Sequence, residues 1–554
     1  MNRRSYRARY GPTTGDLVRL ADSRLVVRVE TDDVGYGDEP LVGFGKTLRP
    51  RVRQRDRAGR GSDLDFLLVG VLLIDPLLGV RKTNLGIKDG RVVGVGRLDG
   101  EAYAGEDLVF GPTTCPLSGY GLIATPGGVD SHVHLPTPRL VPAALSAGVT
   151  TLITAGFEEP AYGMARMLAA FEPAPVNIGL QACARTTEPA GEEELVLAGA
   201  VGLKVHEDYG AYPELVDAAL ATAQAHDIAV SLHTDGLNET AEVDDTLAAI
   251  AGRTVHAYHV EGSAGGHPDN LLLVNDPAVI CSSTTPSLPL GRWTGEDLRA
   301  GIFAVHGADR DVTADRDAVD ERVRPATLAA EGPLQDLGAI SIVNSDSQGV
   351  GRMAETLRRT WQLCDAMKQW RAGWGDEPAD GHDNRRVLAY LAKYTVEPAI
   401  VHGIAGDVGS LAPGRLADVV LWRPCCFGVK PELVLKSGFE AWGALGDGNG
   451  SVERVQPVTY GPHWGATGAA GASLGVTFVS SAALDAGLAA RIGTRRRLVA
   501  VSGTRGLRRG DLVANRFVPR IRLDPADGTV TLAGRPLAAE PVHRVPLNRT
   551  YLLS

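Results

Sequence analysis

Cysteine is scarce in this 554-residue chain. There are six, at 115, 183, 281, 364, 425 and 426, and none is spaced as CxxC. That spacing speaks against a disulfide framework or a zinc knuckle and makes a reducing cytoplasm the default compartment. Positive charge is not in excess either. The net charge is −10, so electrostatics gives no case for nucleic acid or an anionic membrane as partner. No apolar run reaches the length of a membrane span. The N-terminal MNRRSYRARYGPTTGD is basic, but no apolar stretch follows it, so it does not read as a secretory signal. Internal repeats and low-complexity segments are missing as well.

What is present is enough apolar sequence, 44% of residues, for two or three domains with real cores. The 67 glycines suit a chain with many tight turns. Residues 1–125 alternate short β-type runs with turn residues, as in RLVVRVE, DFLLVGVLLID and NLGIKDGRVVGVG. The DG of the last run predicts a hairpin turn. The arginine-rich stretch from Arg49 to Arg60 reads as a solvated loop.

From Gly121 the rhythm becomes strand, loop, helix. Eight apolar strand candidates follow: GLIATPGGVDSHVH, GVTTLITAG, VNIGLQACA, VGLKVHED, IAVSLHTD, TVHAYHVEG, AVICSSTTP and AISIVNSDS. Helical patterns such as YPELVDAALATAQAHD lie between most of them. The expectation is an α/β chain whose residues 126–408 form a (β/α)8 barrel of the TIM type. GSLAPGRLADVVLWRP then returns to β character, so 409–470 is expected to rejoin the N-terminal β-rich region as one composite domain. Residues 471–554 read as mixed.

The polar residues in these strands carry the chemistry. His132 and His134, two apart near a strand end, face one side. Lys204 ends the fourth strand, with His206 just beyond. His233 ends the fifth, His259 the sixth and Asp346 the eighth. Barrel active sites lie at the C-terminal ends of strands, so these groups are expected to converge in one mouth. One histidine at a strand end is usually only a satisfied polar residue, but the whole series in this order is not explained that way. Imidazoles with a carboxylate suit a divalent first-row metal, and the donor types alone do not choose nickel over zinc. Burial and nearby positive charge favour a neutral lysine. A neutral amine can take up carbon dioxide as a carbamate, whose two oxygens can bridge two metals.

Longer stretches match along nearly the whole chain: YGPTTGDLVRLADSRLVVRVETDDVGYGDE, GGVDSHVH, GLKVHEDYG, SLHTDGLNE, GRTVHAYHVEGSAGGH, SSTTPSLP, SDSQGVGR, KYTVEPAIVHGIAGDVGS and GRLADVVLW. With these the sequence resembles the urease alpha subunits of the metal-dependent amidohydrolase superfamily. The resemblance implies urea hydrolysis to ammonia and carbamate at two nickel ions bridged by carbamylated Lys204. It implies that His233 and His259 bind the first ion, and His132, His134 and Asp346 the second. His206 would hydrogen-bond the substrate carbonyl. His306 would be the flap histidine and general acid, with Asp208 and Arg322 orienting it. Ala264 and Gly349 would line the substrate pocket. The implied partners are urease beta and gamma subunits and nickel-insertion accessory proteins.

The sequence departs from the family in three places. The flap reads Val305, His306, Gly307 where ureases usually carry Cys-His-His. The segment after Gly156 is about ten residues shorter than usual. Ala264 stands for a usual glycine and Gly349 for a usual alanine. These departures keep open a related amidohydrolase acting on another urea-like or cyclic amide, and a non-catalytic paralogue. Without a flap thiol, urease activity should resist thiol-alkylating reagents, and a shorter wall should weaken urea binding and admit methylurea. Steady-state kinetics on both substrates, before and after iodoacetamide, check this. Rapid inactivation would refute the flap argument, and tight urea binding without methylurea turnover would refute the wall argument.

Overall fold

The computed structural model describes residues 1–35, 63–98, 101–156, 160–206, 211–233, 243–374, 381–445 and 459–548. Each of the eight strand candidates contains a parallel strand of one barrel. In order they are Gly128–Val133, Val149–Thr154, a third interrupted at Leu180 (Asn177–Gly179 and Gln181–Cys183), Gly202–Val205, Ala229–Leu232, Val255–Ala257, Val279–Thr284 and Ile342–Asn344. The barrel closes where Val133 bridges Ser347 in parallel and the His134 amide donates to the Ser347 carbonyl at 2.9 Å. Asp130, buried in the first strand, fastens that seam. Its carboxylate accepts the Ser345 amide at 3.0 Å and the Thr356 hydroxyl at 3.1 Å. Thr356 begins the long helix Thr356–Trp374, which follows the last strand as its periodicity predicts.

The β-rich part is a single large sheet built from two distant stretches. Phe66–Asp75, Gly79–Lys88 and Arg91–Gly96 form antiparallel neighbours. The predicted DG turn joins the last two, with Asp89 at φ 49° and Gly90 at φ 75°. Positive φ at both central residues is what a tight hairpin with native twist requires. Ile123–Pro126 pairs with Phe66–Asp75 on one side and with Val419–Trp422 on the other. The post-barrel strands Val419–Trp422, Leu433–Lys436, Phe439–Leu445 and Thr459–Pro462 thus complete the sheet begun before the barrel. In the C-terminal region, Val476–Val479 and Arg497–Ala500 add parallel strands beside Asn177–Gly179.

Two sequence expectations need comment. The N-terminus opens with a helix, Arg3–Tyr10, capped where the Asn2 side chain accepts the Ser5 amide at 2.9 Å, whereas the sequence pattern suggested only strands and turns there. The Arg49–Arg60 loop lies outside the described residues. Among the described residues, no helix is long and apolar enough to cross a membrane.

A buried polar knot joins sheet and barrel. Lys436, 0% exposed, donates to Asp418 at 2.6 Å and to Asn177 at 2.9 Å. Asn177 in turn donates to Thr151 at 2.9 Å and to Asp418 at 2.8 Å. Burial pushes the Lys436 ammonium down, and the Asp418 carboxylate opposes that. Removing one member of such a pair strands the other charge. Lys436→Ala should therefore cost about 3–5 kcal/mol, read as a lower guanidinium midpoint. An unchanged midpoint would show that the knot does not hold the two parts together.

Candidate metal centre in the barrel mouth

The ends of the barrel strands bring the histidines and the lysine together. The Asp346 Oδ1 lies 3.2 Å from His132 Nε2 and 3.4 Å from His134 Nε2. One ligand atom from each of these three lies within 4.8 Å of the others. Across the mouth, His259 Nε2 stands 2.8 Å from His233 Nδ1, and the His206 ring stacks on His233 at 4.1 Å. The His132 and His259 rings are 5.5 Å apart, so the two groups are contiguous. Lys204, 1% exposed, holds its amine 4.1 Å from the centre of the Tyr258 ring.

Backbone geometry marks the same residues. His259 at φ 30° and Asp346 at φ 49° adopt left-handed conformations, which cost a non-glycine residue about 1–2 kcal/mol and concentrate at functional sites. Gly156, at φ 100°, lies just past the second strand, beside Lys204. A Cβ there would lie 2.7 Å from Lys204 Cβ, so glycine makes room for the lysine stem. A Cβ on Gly349 would lie 2.4 Å from Asp346 Oδ1. The alanine usual in the family would thus require this carboxylate to move.

Electrostatics prepares ligands. Burial, then the positive charges of Lys204 and the other histidines, holds His132 well below the ordinary histidine value. Burial, then His259 and Lys204, does the same to His233. Both rings are therefore neutral near pH 7 and carry a lone pair to offer. Burial alone would raise the Asp346 carboxyl. The hydrogen bond from His134 and the charges of His259, His134 and Lys204 outweigh it and keep the group below the usual carboxylate range. Neither ring nitrogen of His132 has a hydrogen-bond partner among the described residues. A buried imidazole unsatisfied at both nitrogens, facing a carboxylate, fits a metal ligand better than a structural side chain.

The other expected residues fall around this mouth, with one exception. His306 caps the helix Thr294–Val305, and its Nε2 lies 2.8 Å from the Ala264 carbonyl. A carbonyl can only accept, so this nitrogen carries the ring proton. Ala264 is itself buried. Arg322, half-buried, ends the helix Thr313–Arg322, and its carbonyl would lie 3.8 Å from a Cβ on Gly262 in the same loop as Ala264. Asp208 lies outside the described residues.

Tyr258 and Gln181 were missed from the sequence. The Tyr258 ring stacks on His132 at 3.8 Å, and its hydroxyl donates to the Ser131 carbonyl at 2.6 Å while accepting from Gln181 at 2.8 Å. Gln181 accepts in turn from Ser231 at 2.7 Å. Asp130 was missed too. Burial raises its carboxyl to about 6, opposed by hydrogen bonds from Ser345, His132 and Thr356. A tyrosine or glutamine inside an apolar strand has no distinguishing pattern. Asp130, two residues before the HxH pair, offered the one usable signal.

Comparison with known proteins agrees with this picture. The model of the amidohydrolase family matches residues 123–441, and that of the urease alpha-subunit N-terminal domain matches residues 1–115. The chain is 47% identical over 564 residues to urease subunit alpha 1 of Streptomyces avermitilis, covering 100% of both chains. It is 46% identical over 560 residues to urease subunit alpha 2 of Streptomyces coelicolor, covering 99% of each. It is 41% identical over 567 residues to urease subunit alpha of Natronomonas pharaonis, covering 100% of this chain and 99% of that one. Among solved structures, a D-hydantoinase superposes with a TM-score of 0.48 at 18% identity, covering 68% of this chain and 95% of that one. Full-length identity of this order, over a chain whose barrel mouth gathers the histidines, lysine and aspartate described above, makes this protein a member of the urease alpha-subunit family.

Proposed function

We propose that this chain is the catalytic subunit of a urease complex and hydrolyses urea to ammonia and carbamate at two nickel ions bridged by carbamylated Lys204. The observation that carries the reading is the convergence of His132, His134, Lys204, His233, His259 and Asp346 in one barrel mouth. Full-length similarity to proteins named urease subunit alpha supports the substrate. His233 and His259 would hold one ion, and His132, His134 and Asp346 the other. The donor set of neutral imidazoles and one carboxylate suits such ions. When bound, the metals supply Lewis acidity toward the urea carbonyl and a nucleophile at neutral pH.

The protein's own groups do the rest. His206, stacked on His233, donates a hydrogen bond to the urea oxygen and fixes its orientation. The departing nitrogen is a poor leaving group until protonated. His306 delivers that proton, having been held with its Nε2 proton directed at the Ala264 carbonyl beside the pocket. Asp208 and Arg322 orient His306. Ala264 and Gly349 line the wall that urea contacts. The working protein is a cytoplasmic assembly with beta and gamma subunits, loaded by nickel-insertion accessory proteins. The altered flap and shortened wall favour testing substituted ureas beside urea, because a related substrate would use the same cage.

The test is urease assay and metal analysis of the complex co-expressed with those partners. Lys204→Ala should lose both metals and activity, with partial recovery of activity on adding nickel and a small carboxylic acid that imitates the carbamate. Full metal occupancy in that variant would remove Lys204 as the bridge. Nickel-loaded wild-type complex that turns over no urea would overturn the urease reading, and turnover of another amide by the same sample would favour the related-amidohydrolase alternative. His306→Ala should keep its metal but slow turnover roughly a hundredfold or more, the usual scale for a lost general acid. Unchanged turnover would take His306 out of the mechanism.

A further inference from the structure

Cys425 and Cys426 lie far along the chain from every residue of the metal mouth, in a turn between the strands Val419–Trp422 and Leu433–Lys436. Their sulfurs are 3.7 Å apart. Cys425 is exposed and Cys426 half-buried. We propose that this adjacent pair is a bidentate thiolate site for a thiophilic Lewis acid, a soft metal ion or a trivalent arsenical, separate from the catalytic centre.

Two sulfurs each about 2.3 Å from a shared tetrahedral centre stand about 3.8 Å apart. The observed separation already matches that bite. A disulfide needs the sulfurs at about 2.05 Å, with a defined dihedral, so oxidation would require them to close by more than an ångström and a half. Capture of a tetrahedral guest by both sulfurs requires almost no movement.

The turn is held from both ends, which keeps the pair in place. The Ala21 amide donates to the Pro424 carbonyl at 2.7 Å. Arg423 pairs with Glu432 at 2.9 Å. On the other side Phe427 is buried, its ring 4.8 Å from Trp361 and 5.7 Å from Trp422. Gly428 follows at φ 74°, where a Cβ would collide with the Trp361 ring at 2.4 Å. Cys425 itself stays exposed. Pre-organisation of this kind lowers the entropy lost on binding. The charges are mixed. Burial and the neighbouring Cys425 push the Cys426 thiol up to about 11, while Arg423 and Lys430 favour its thiolate. Cys426 therefore rests protonated, and a guest must displace its proton.

With phenylarsine oxide the step is balanced. Two As–S bonds form, the As–O bond breaks, and the oxygen leaves as water with the two thiol protons. No oxidant is needed. The remaining four cysteines cannot chelate in this way, because Cys183, Cys281 and Cys364 are buried and Cys115 is alone on the surface.

Cadmium titration of the full-length chain tests the proposal, followed by the ultraviolet thiolate-to-cadmium charge-transfer band. The band reports sulfur ligation only, so histidine-bound cadmium in the barrel mouth does not contribute. One equivalent per chain should saturate it in the wild type and in Cys115→Ser. Cys425→Ser, a change at an exposed position, should reduce it at least tenfold. Mass spectrometry should show one phenylarsine adduct that survives excess monothiol and is released by a dithiol, and it should be missing in Cys425→Ser. No band in the wild type, or an undiminished band in a Cys425→Ser/Cys426→Ser double variant, would overturn the assignment.

Discussion

The burial of Lys204 is the constraint on which the mouth depends. A lysine stem at 1% exposure needs space, a surface to lie on and partners for its polar end. Gly156 yields the space, since any Cβ there would collide with it. The Tyr258 ring is the surface, its centre 4.1 Å from the amine. Tyr258 can serve only because its own hydroxyl is satisfied by Ser131 and Gln181. The His132 ring stacks on it, so the platform that supports the lysine also fixes the first histidine. Lysine, platform and histidine form one packed unit, and the remaining donors are arranged around it.

Much of this was legible in the sequence because strand ends and chemistry coincide in a barrel. The eight apolar runs survive as strands, since a parallel barrel strand is buried on both sides and reads as continuous apolar sequence. The histidines, Lys204 and Asp346 stood out as polar groups at the ends of those runs. What was not legible depends on partners far apart in sequence. Asp130 is defined by Ser345 and Thr356, more than two hundred residues away. Tyr258 and Gln181 are defined by each other. The left-handed backbones of His259 and Asp346 leave no mark in residue type. The first helix escaped notice because its stability comes from a cap and two buried tyrosines rather than from an apolar stripe.

The segment that carries His306 has a physical identity of its own. Leu298, Ile302, Val319, Val323 and Leu328 form a small hydrophobic cluster distinct from the main core. The helices Thr294–Val305 and Thr313–Arg322 are thus packed on each other as a unit beside the mouth. Gly307, at φ 63°, follows the first of them where helices commonly end in a left-handed residue. Where the family usually has histidine, this chain has the residue that makes such an ending without strain. Val305 is half exposed at 50%. The departure from the usual flap triplet replaces functional groups with a clean helix stop, while His306 itself is kept against Ala264.

The composite sheet carries a consequence for how the chain comes to be. Ile123–Pro126 has one neighbour from Phe66–Asp75, but its other neighbour, Val419–Trp422, lies about 290 residues further on. During synthesis at about 5–20 residues per second, that partner emerges roughly 15–60 s after the edge it must cover. For that interval the nascent chain carries an uncapped β-edge, the feature from which intermolecular pairing starts. The whole barrel sequence must be synthesised before the edge can be sealed. Protection of one strand during translation is thus a kinetic demand that the finished fold conceals.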